Sequence, residues 1–236
     1  MADPLVFLPG MMCDARLFAP QIADLGRDHA IMVAPISAGE RIEEMASAIL
    51  SWVPPKFALA GLSMGGIVAM EVIRRAPERV TRLCLMDTNP LGEVPQVAAN
   101  RDLQMVRVKA GRLEDVMRDE MKPNYLAPGV GRMPVLHEVM QMAMGLGAEV
   151  FIRQSRALQR RRDQQGTLRR IKVPTLVMCG EYDTLCPVKR HELMAELIPY
   201  ARLQVIEGAG HLPTLEQPEA VNAALRTWMK QPFVLQ

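Results

Sequence analysis

This sequence of 236 residues has few aromatic residues, little excess of charge of either sign and few long apolar runs. Phe, Trp and Tyr together make up 4% of it, and the formal net charge at pH 7 is +2. Nucleic-acid binding usually needs a basic excess and aromatic side chains that stack on bases, so we expect no nucleic-acid partner. The first apolar run, Leu5 to Leu8, follows no basic segment and is too short for a signal peptide or a membrane span. A cytoplasmic protein without membrane contact is therefore expected.

Cysteine is also rare, and the spacing of the four cysteines matches no metal site. Cys13, Cys84, Cys179 and Cys186 lie at predicted strand or turn positions, which favours free thiols over disulfides in a cytoplasmic protein. Cys13 is a poor candidate for a nucleophile because no strand-to-helix elbow surrounds it. The sequence also contains no nucleotide-binding fingerprint, so neither a metal nor a cofactor is expected.

What the sequence does contain is a serine between two glycines at the junction of a strand and a helix. The segment FALAGLSMGGIVAMEVIRRAP, 57–77, begins with a buried-strand pattern and continues with helical spacing that Pro77 ends. Gly61 and Gly65 leave room beside Ser63, which is the G-x-S-x-G pattern of a nucleophile elbow. The alternative is a glycine-rich turn with an incidental serine. An anion site at the start of the helix is disfavoured because no phosphate-loop lysine follows the glycines.

A nucleophilic serine needs a base, and the base needs an orienting group. Candidates for both follow Ser63 in the order serine, acid, histidine that this elbow predicts. Asp183 comes after the apolar strand of VPTLVMCGEYDTLCP, and His211 lies in the glycine loop of LQVIEGAGHLPTLEQPE. Taken alone, Asp183 is typical of a helix cap or turn, and His211 of a surface histidine. Their order, with a strand before each, favours a catalytic triad.

Five segments spread over the chain carry a resemblance to a known family: VFLPGMMCDARLF, GLSMGG, VTRLCLMDTNP, VPTLVMCGEYDTLCP and GAGHLPTLEQPE. The chain resembles the α/β-hydrolase superfamily, in the branch of small carboxylesterases similar to the pimeloyl-carrier-protein methyl ester carboxylesterase. The resemblance implies that Ser63 is the nucleophile, His211 the general base and later acid, and Asp183 the group that orients the imidazole. Asp87, at the end of RLCLMD, is a rival for the acid because some family members use that position.

The same resemblance implies an oxyanion hole made of two backbone N–H groups. These belong to Met64, directly after the nucleophile, and to Met11, in the loop after the first strand. The chain departs from the family pattern at Pro9-Gly10, where His-Gly is common. The loop that carries Met11 therefore lacks a side chain that often braces it.

Length and a hydrophobic content of 49% predict a single domain over residues 1–236. The expected fold class is α/β: a three-layer α/β-hydrolase fold with a mostly parallel sheet of about six strands, helices on both faces and a helical cap insertion. Ser37 and Glu40 have the spacing of a capping box for a helix that continues to Trp52, and Pro218 is placed to start the last helix. The predicted strands are Leu5–Leu8, Ala30–Ala34, Phe57–Leu62, Arg82–Met86, Thr175–Cys179 and Arg202–Ile206.

The connection between the strand that ends near Asp87 and the strand that starts at Val173 is far longer than an ordinary loop. We assign residues 91–168 of it to the cap. Methionines are frequent there, and their flexible thioethers would accept varied acyl chains. Met142 and Met144 of the cap, together with Met12, are therefore candidate substrate-binding residues. The alternative for each is an ordinary core position.

The cap ends in a basic run, FIRQSRALQRRRDQQGTLRRIK, in which Asp163 is the single acid. A solvated helix face is one interpretation of the run. The other is a docking patch for an acidic acyl carrier, or a site for a substrate carboxylate.

These patterns together predict a cofactor-independent serine hydrolase that cleaves small or medium acyl carboxylic esters through an acyl-enzyme. Thioesterase, other hydrolase, lyase and perhydrolase activities occur on the same scaffold. A ligand receptor with slow turnover is the alternative from another functional class.

Overall fold

Six parallel strands form one sheet in the order β2-β1-β3-β4-β5-β6. The structure is a computed structural model, and it describes residues 3–121, 125–129 and 131–232. The chain passes from β1 to the edge strand β2 and then returns to the other side of β1, so its direction of travel reverses between β1 and β3. Ligands of such sheets bind outside the carboxyl ends of the strands at this reversal. The strands are β1 Leu5–Leu8, β2 Ile31–Val33, β3 Phe57–Leu62, β4 Val80–Met86, β5 Thr175–Gly180 and β6 Arg202–Ile206.

Successive side chains of the central strands enter two different cores, as the two-residue period of a strand requires. Val6 and Leu8 of β1 pack in the core on one face of the sheet, and Leu5 and Phe7 pack in the core on the other. All four residues of β1 are buried. The near-continuous apolar sequence of β1 follows from this two-sided burial, which is typical of parallel sheets.

Helices cover both faces of the sheet. The helices α2, α3 and α8 pack over the first face, and α1 and α10 pack together over the second. A 3₁₀ turn at Ala15–Phe18 precedes α1. The helices of the two faces are α1 Ala19–Leu25, α2 Ile42–Trp52, α3 Met64–Arg75, α8 Val188–Leu197, α9 Pro213–Glu216 and α10 Pro218–Met229.

The long helix α6 and several shorter helical segments lie between β4 and β5, in the region predicted as a cap. They are α4 Pro95–Lys109, α5 Leu113–Asp115, a π-helical turn Val116–Met121, α6 Arg132–Gln159 and α7 Gln165–Leu168. By length and composition alone, α6 is apolar enough to cross a membrane. However, Gly147 has a non-helical backbone, with φ 80° and ψ 175°, and divides α6 into two segments that are each shorter than a membrane span. Helix α6 packs against α4, α5 and α9.

The predicted elements are confirmed, with differences at their ends. Strand β2 is shorter than predicted and β4 begins at Val80, where its residues first pair with β3. The predicted capping box is wrong: α2 begins at Ile42, and the Glu40 amide donates instead to the Glu44 carboxylate at 2.8 Å. Pro218 does open the last helix.

Gly65 allows α3 to approach β1 so closely that no other residue fits there. A Cβ atom at this position would overlap the carbonyl oxygen of Leu8. We therefore expect Gly65→Ala to destabilise the fold by about 3 kcal/mol, because a rigid backbone must move to accept the methyl group. That loss corresponds to a fall in Tm of roughly 6–12 °C, measured by thermal unfolding.

Gly166 provides the matched control for this substitution. It lies in the short helix α7, and a Cβ atom there would have no neighbour within 4 Å. Gly166→Ala should leave Tm unchanged or raise it slightly, since alanine has the higher helix propensity. Equal Tm values for the two variants would contradict the close approach of α3 to β1.

Candidate active site

Ser63 occupies a strained turn between β3 and α3. Its backbone has φ 55° and ψ −117°, a conformation that a non-glycine residue adopts only when its surroundings impose it. The Ser63 amide donates to the Met86 carbonyl at 2.8 Å, and the Thr88 hydroxyl donates to the Ser63 carbonyl at 2.6 Å. These bonds fix the backbone, so the half-buried hydroxyl is presented beyond the carboxyl end of β3.

His211 and Asp183 extend a hydrogen-bonded chain from the Ser63 hydroxyl. The Nε2 atom of His211 lies 2.9 Å from Ser63 Oγ, and its Nδ1 atom lies 2.8 Å from Asp183 Oδ2. The other oxygen of Asp183 accepts from the amides of Leu185 and Cys186. Burial favours the neutral acid, but the charge and hydrogen bond of His211 outweigh it and hold the pKa of Asp183 below its usual value. The three residues predicted from the sequence are therefore brought together in serine, histidine, aspartate contact.

Asp87, the rival acid, contacts the sheet rather than the imidazole. Its Oδ1 atom accepts from the Gly180 amide at 2.8 Å, and none of the hydrogen bonds of the described residues joins it to His211. Complete burial raises the pKa of Asp87 well above its usual value, and the nearby charge of Asp183 raises it further. Both causes favour the protonated form of Asp87.

Two backbone N–H groups near Ser63 are free to bind an anion. Among the described residues, no hydrogen bond uses the amide of Met64 at the start of α3 or the amide of Met11 in the loop after β1. Gly10 lies directly against Ser63, since a Cβ atom on it would be 3.5 Å from Ser63 Cβ. The two amides predicted for an oxyanion hole are thus on the chain segments that adjoin the hydroxyl.

The loop that carries Met11 has a brace that the sequence did not indicate. The side chain of Gln154, buried on α6, accepts from the Met12 amide at 2.9 Å and donates to the Ile36 carbonyl at 3.2 Å. Met12 itself has φ 56°. Gln154 therefore holds this loop from the α6 side, where the family pattern has a histidine in the loop itself.

Glu216 organises the loop of His211 and was also missed from the sequence. Its carboxylate accepts from the amides of Gly210 and Leu212, both at 3.0 Å, and from the amide of Ala127 at 2.7 Å. The His211 amide donates to the Tyr125 carbonyl. A single glutamate after a histidine carries no recognisable motif, so these contacts could not be read from the sequence.

A cavity of about 430 Å³ opens beside Ser63 and His211. Met11, Met64 and Met121 contribute to its wall. The expectation for Met12, Met142 and Met144 is wrong, because none of them lines this cavity. Met12 and Met142 are fully buried in the core instead, and Met144 lies partly exposed on α6.

Several arginines of the basic run, residues 153–172, are paired with acids of this chain. Arg156 and Arg160 both form ion pairs with Glu40, and Arg162 pairs with Glu43 at 2.9 Å. Glu40, just before α2, and Glu43 in α2 therefore neutralise part of the charge in the middle of the run. Arg169, Arg170 and Lys172 at its end are exposed. The side chains of Arg160 and Arg162 remain 47% and 66% exposed, so a solvated surface describes these two residues better than an open docking patch.

Asp183, Cys186 and His211 are close enough for a shared metal ion, with their ligand atoms within 4.8 Å of one another. Burial raises the pKa of the Cys186 thiol, so it stays protonated, whereas metal binding requires the thiolate. The nitrogen and oxygen of the other two residues already bond to each other. The donor set therefore fits a hydrogen-bonded pair better than a metal site.

Comparison with known proteins agrees with this arrangement. The sequence pattern of the alpha/beta hydrolase family matches residues 5–224. The chain belongs to this family. A thermophilic esterase from Thermogutta terrifontis, solved with malate bound, has a similar structure with a TM-score of 0.88 and 28% identity, covering 98% of this chain and 90% of that one.

Proteins of known activity with similar sequences include an esterase and a lactonase. A pimeloyl-[acyl-carrier protein] methyl ester esterase from Photobacterium profundum is 28% identical over 82% of this chain and 78% of its own length. The 3-oxoadipate enol-lactonase 2 of Acinetobacter baylyi is 26% identical over 87% of this chain and 76% of its own. This alpha/beta hydrolase is accordingly a carboxylesterase-type hydrolase.

Proposed function

We propose that this protein cleaves small or medium acyl carboxylic esters through an acyl-enzyme formed on Ser63. The observation that supports the proposal is the chain of two short hydrogen bonds from Ser63 Oγ through His211 to Asp183. A serine that is joined to a base, with the base joined to a carboxylate, has the arrangement of an activated nucleophile.

In the first step, Ser63 Oγ attacks the ester carbonyl carbon while His211 Nε2 accepts the hydroxyl proton. Asp183 holds Nδ1–H and stabilises the imidazolium that forms. The developing oxyanion accepts from the amides of Met11 and Met64. Collapse of the tetrahedral intermediate expels the alcohol, which takes the proton from Nε2, and leaves the acyl group on Ser63.

In the second step, water replaces the alcohol. His211 Nε2 accepts a proton from the water as its oxygen attacks the acyl carbon, and the same two amides stabilise the second oxyanion. Breakdown of the intermediate returns the proton to Ser63 Oγ and releases the carboxylic acid. No cofactor takes part in either step.

The acyl group would occupy the cavity beside Ser63. Its volume of about 430 Å³ suits a small or medium acid rather than a long lipid chain. An ester linked to an acyl carrier is a second candidate substrate, because several relatives are named for such an ester. The pairing of Arg156, Arg160 and Arg162 with acids of this chain weakens the case for carrier docking on the basic run.

Steady-state hydrolysis of p-nitrophenyl esters tests the proposal against a slow-turnover receptor. Turnover should be continuous, and kcat/KM should rise roughly fourfold with each methylene from acetate to butyrate, since a buried methylene contributes about 0.8 kcal/mol. One equivalent of p-nitrophenol followed by no further release would favour the receptor. Absence of any release would reject the esterase.

A further inference from the structure

One wall of the active-site cavity is cationic. Arg101, Arg161 and Arg190 all line it, together with Glu93. The Glu93 carboxylate bridges two of the guanidiniums, at 2.8 Å from Arg101 Nε and 3.0 Å from an Arg161 Nη atom. None of the ion pairs or side-chain hydrogen bonds of the described residues uses the Arg190 guanidinium.

The negative charges nearby do not balance this wall. Glu93 is shared between two arginines, and its side chain is 4% exposed. The other acid of the cavity wall, Glu120, is paired with Arg107. The three arginines of the wall therefore share one negative charge, that of Glu93. The charge of Arg190 and one of the two charges of Arg101 and Arg161 remain uncompensated.

Uncompensated charge in such a place is costly unless a ligand balances it. The Arg161 and Arg101 side chains are only 9% and 14% exposed, so water stabilises their charges poorly. Burial even lowers the pKa of Arg161 below its usual value, although not enough to remove its proton at neutral pH. Each guanidinium also has more N–H donors than its contacts within the described residues use, and a carboxylate matches their planar geometry.

Arg101 connects this wall to the reacting atoms. Its Nη1 atom lies 3.9 Å from the sulfur of Met11, the residue whose amide is proposed to bind the oxyanion. The cationic wall and Ser63 line the same cavity of about 430 Å³.

Building on the proposed esterase function, we propose that the preferred acyl group carries its own carboxylate. The substrate class is the half-ester of a dicarboxylic acid, or a lactone or thioester with the same free carboxylate. The acyl carbonyl reacts at Ser63, and the distal carboxylate binds between Arg190 and the Arg101 and Arg161 pair.

A purely structural role accounts for part of this wall but not for Arg190. Arg161 also donates from Nε to the Leu91 carbonyl at 3.0 Å, and with Glu93 it ties down the chain after β4. Arg190 has no such contact and lies half-exposed on α8. Substitution of Arg190 therefore separates ligand binding from the stability of the wall.

The test compares monomethyl adipate with methyl hexanoate, which have six-carbon acyl chains and differ by the distal carboxylate. The wild type should show a kcat/KM at least tenfold higher for monomethyl adipate, measured by proton release. Arg190→Gln should lower kcat/KM for monomethyl adipate by about tenfold and change kcat/KM for methyl hexanoate by less than twofold. High salt should reduce the preference of the wild type by screening the charges.

Arg160→Gln is the matched control, because Arg160 pairs with Glu40 and does not line the cavity. Arg160→Gln should leave kcat/KM for both esters unchanged. A wild type that prefers methyl hexanoate, or an Arg190→Gln variant that loses both activities equally with an unchanged Tm, would overturn the inference. So would turnover of p-nitrophenyl butyrate without any turnover of monomethyl adipate.

Failure of this inference is distinguishable from failure of the esterase proposal. If hydrolysis of neutral esters requires Ser63 but shows no preference for the carboxylate, only the substrate class is wrong. If ester hydrolysis persists in Ser63→Ala, the proposed function itself is wrong.

Discussion

Ser63→Ala is expected to lower kcat for p-nitrophenyl butyrate by about 10⁵-fold or more, as loss of a triad nucleophile does in other enzymes. The substitution removes the hydroxyl that is proposed to attack and to hold the acyl group, while His211 and the amides of Met11 and Met64 remain. Substrate binding should change little, because the methyl group of alanine leaves the cavity open. Stopped-assay kinetics at high enzyme concentration would measure the residual rate.

Ser51→Ala is a suitable control for Ser63→Ala, since Ser51 lies exposed near the end of α2 and outside the cavity. It should retain wild-type kinetics. A Ser63→Ala variant with more than a hundredth of the wild-type activity would show that another group performs the attack. Thermal unfolding would establish that the variant is folded.

Asp183→Asn should reduce kcat by about 10⁴-fold, because an amide cannot hold the Nδ1–H tautomer of His211 or stabilise its imidazolium form. Asp87→Asn should cost less than tenfold. Burial raises the pKa of Asp87, and its Oδ1 atom accepts from the Gly180 amide, a bond that the carbonyl oxygen of asparagine can also accept. Kinetics of the two variants on one substrate would rank the two acids.

The opposite ranking of these variants would assign the orienting role to Asp87. Equal and severe losses would have to be compared with Tm values, since both side chains are buried in the same place. If Asp87→Asn unfolds the protein, Asp87→Glu offers no remedy because the site is fully buried. In that case Asp183→Asn is the one variant left to measure, and the pH dependence of its kcat tests whether Asp183 acts through His211.

The strands and the three residues of the proposed triad could be predicted because their signals are local. A buried strand, a glycine turn and a helical period around Ser63 occupy one continuous segment. Asp183 and His211 each follow a strand, and parallel strands align their carboxyl ends: Leu62 pairs with Met86, and Gly180 pairs with Ile206. Assigning the strands was therefore sufficient to predict that Ser63, Asp183 and His211 lie at the same edge of the sheet.

The cap side chains could not be predicted because their directions depend on packing between distant segments. Met142 and Met144 are two residues apart on α6, yet one is fully buried and the other is 38% exposed. The arginines of the basic run looked alike in the sequence, but Arg161 faces the cavity while Arg162 contacts α2. The helical period predicts which residues share one face of a helix, but it does not predict which neighbouring segment that face packs against.

The most direct test of the account is to label the wild-type protein with a fluorophosphonate and map the adduct by peptide mass spectrometry. Phosphorus is attacked quickly only by a hydroxyl that has both a base and an oxyanion site. We predict one adduct per chain, located on Ser63, that forms far more slowly in a His211→Gln variant. Labelling of another residue, or labelling that persists in Ser63→Ala, would contradict the assignment of Ser63 as the nucleophile.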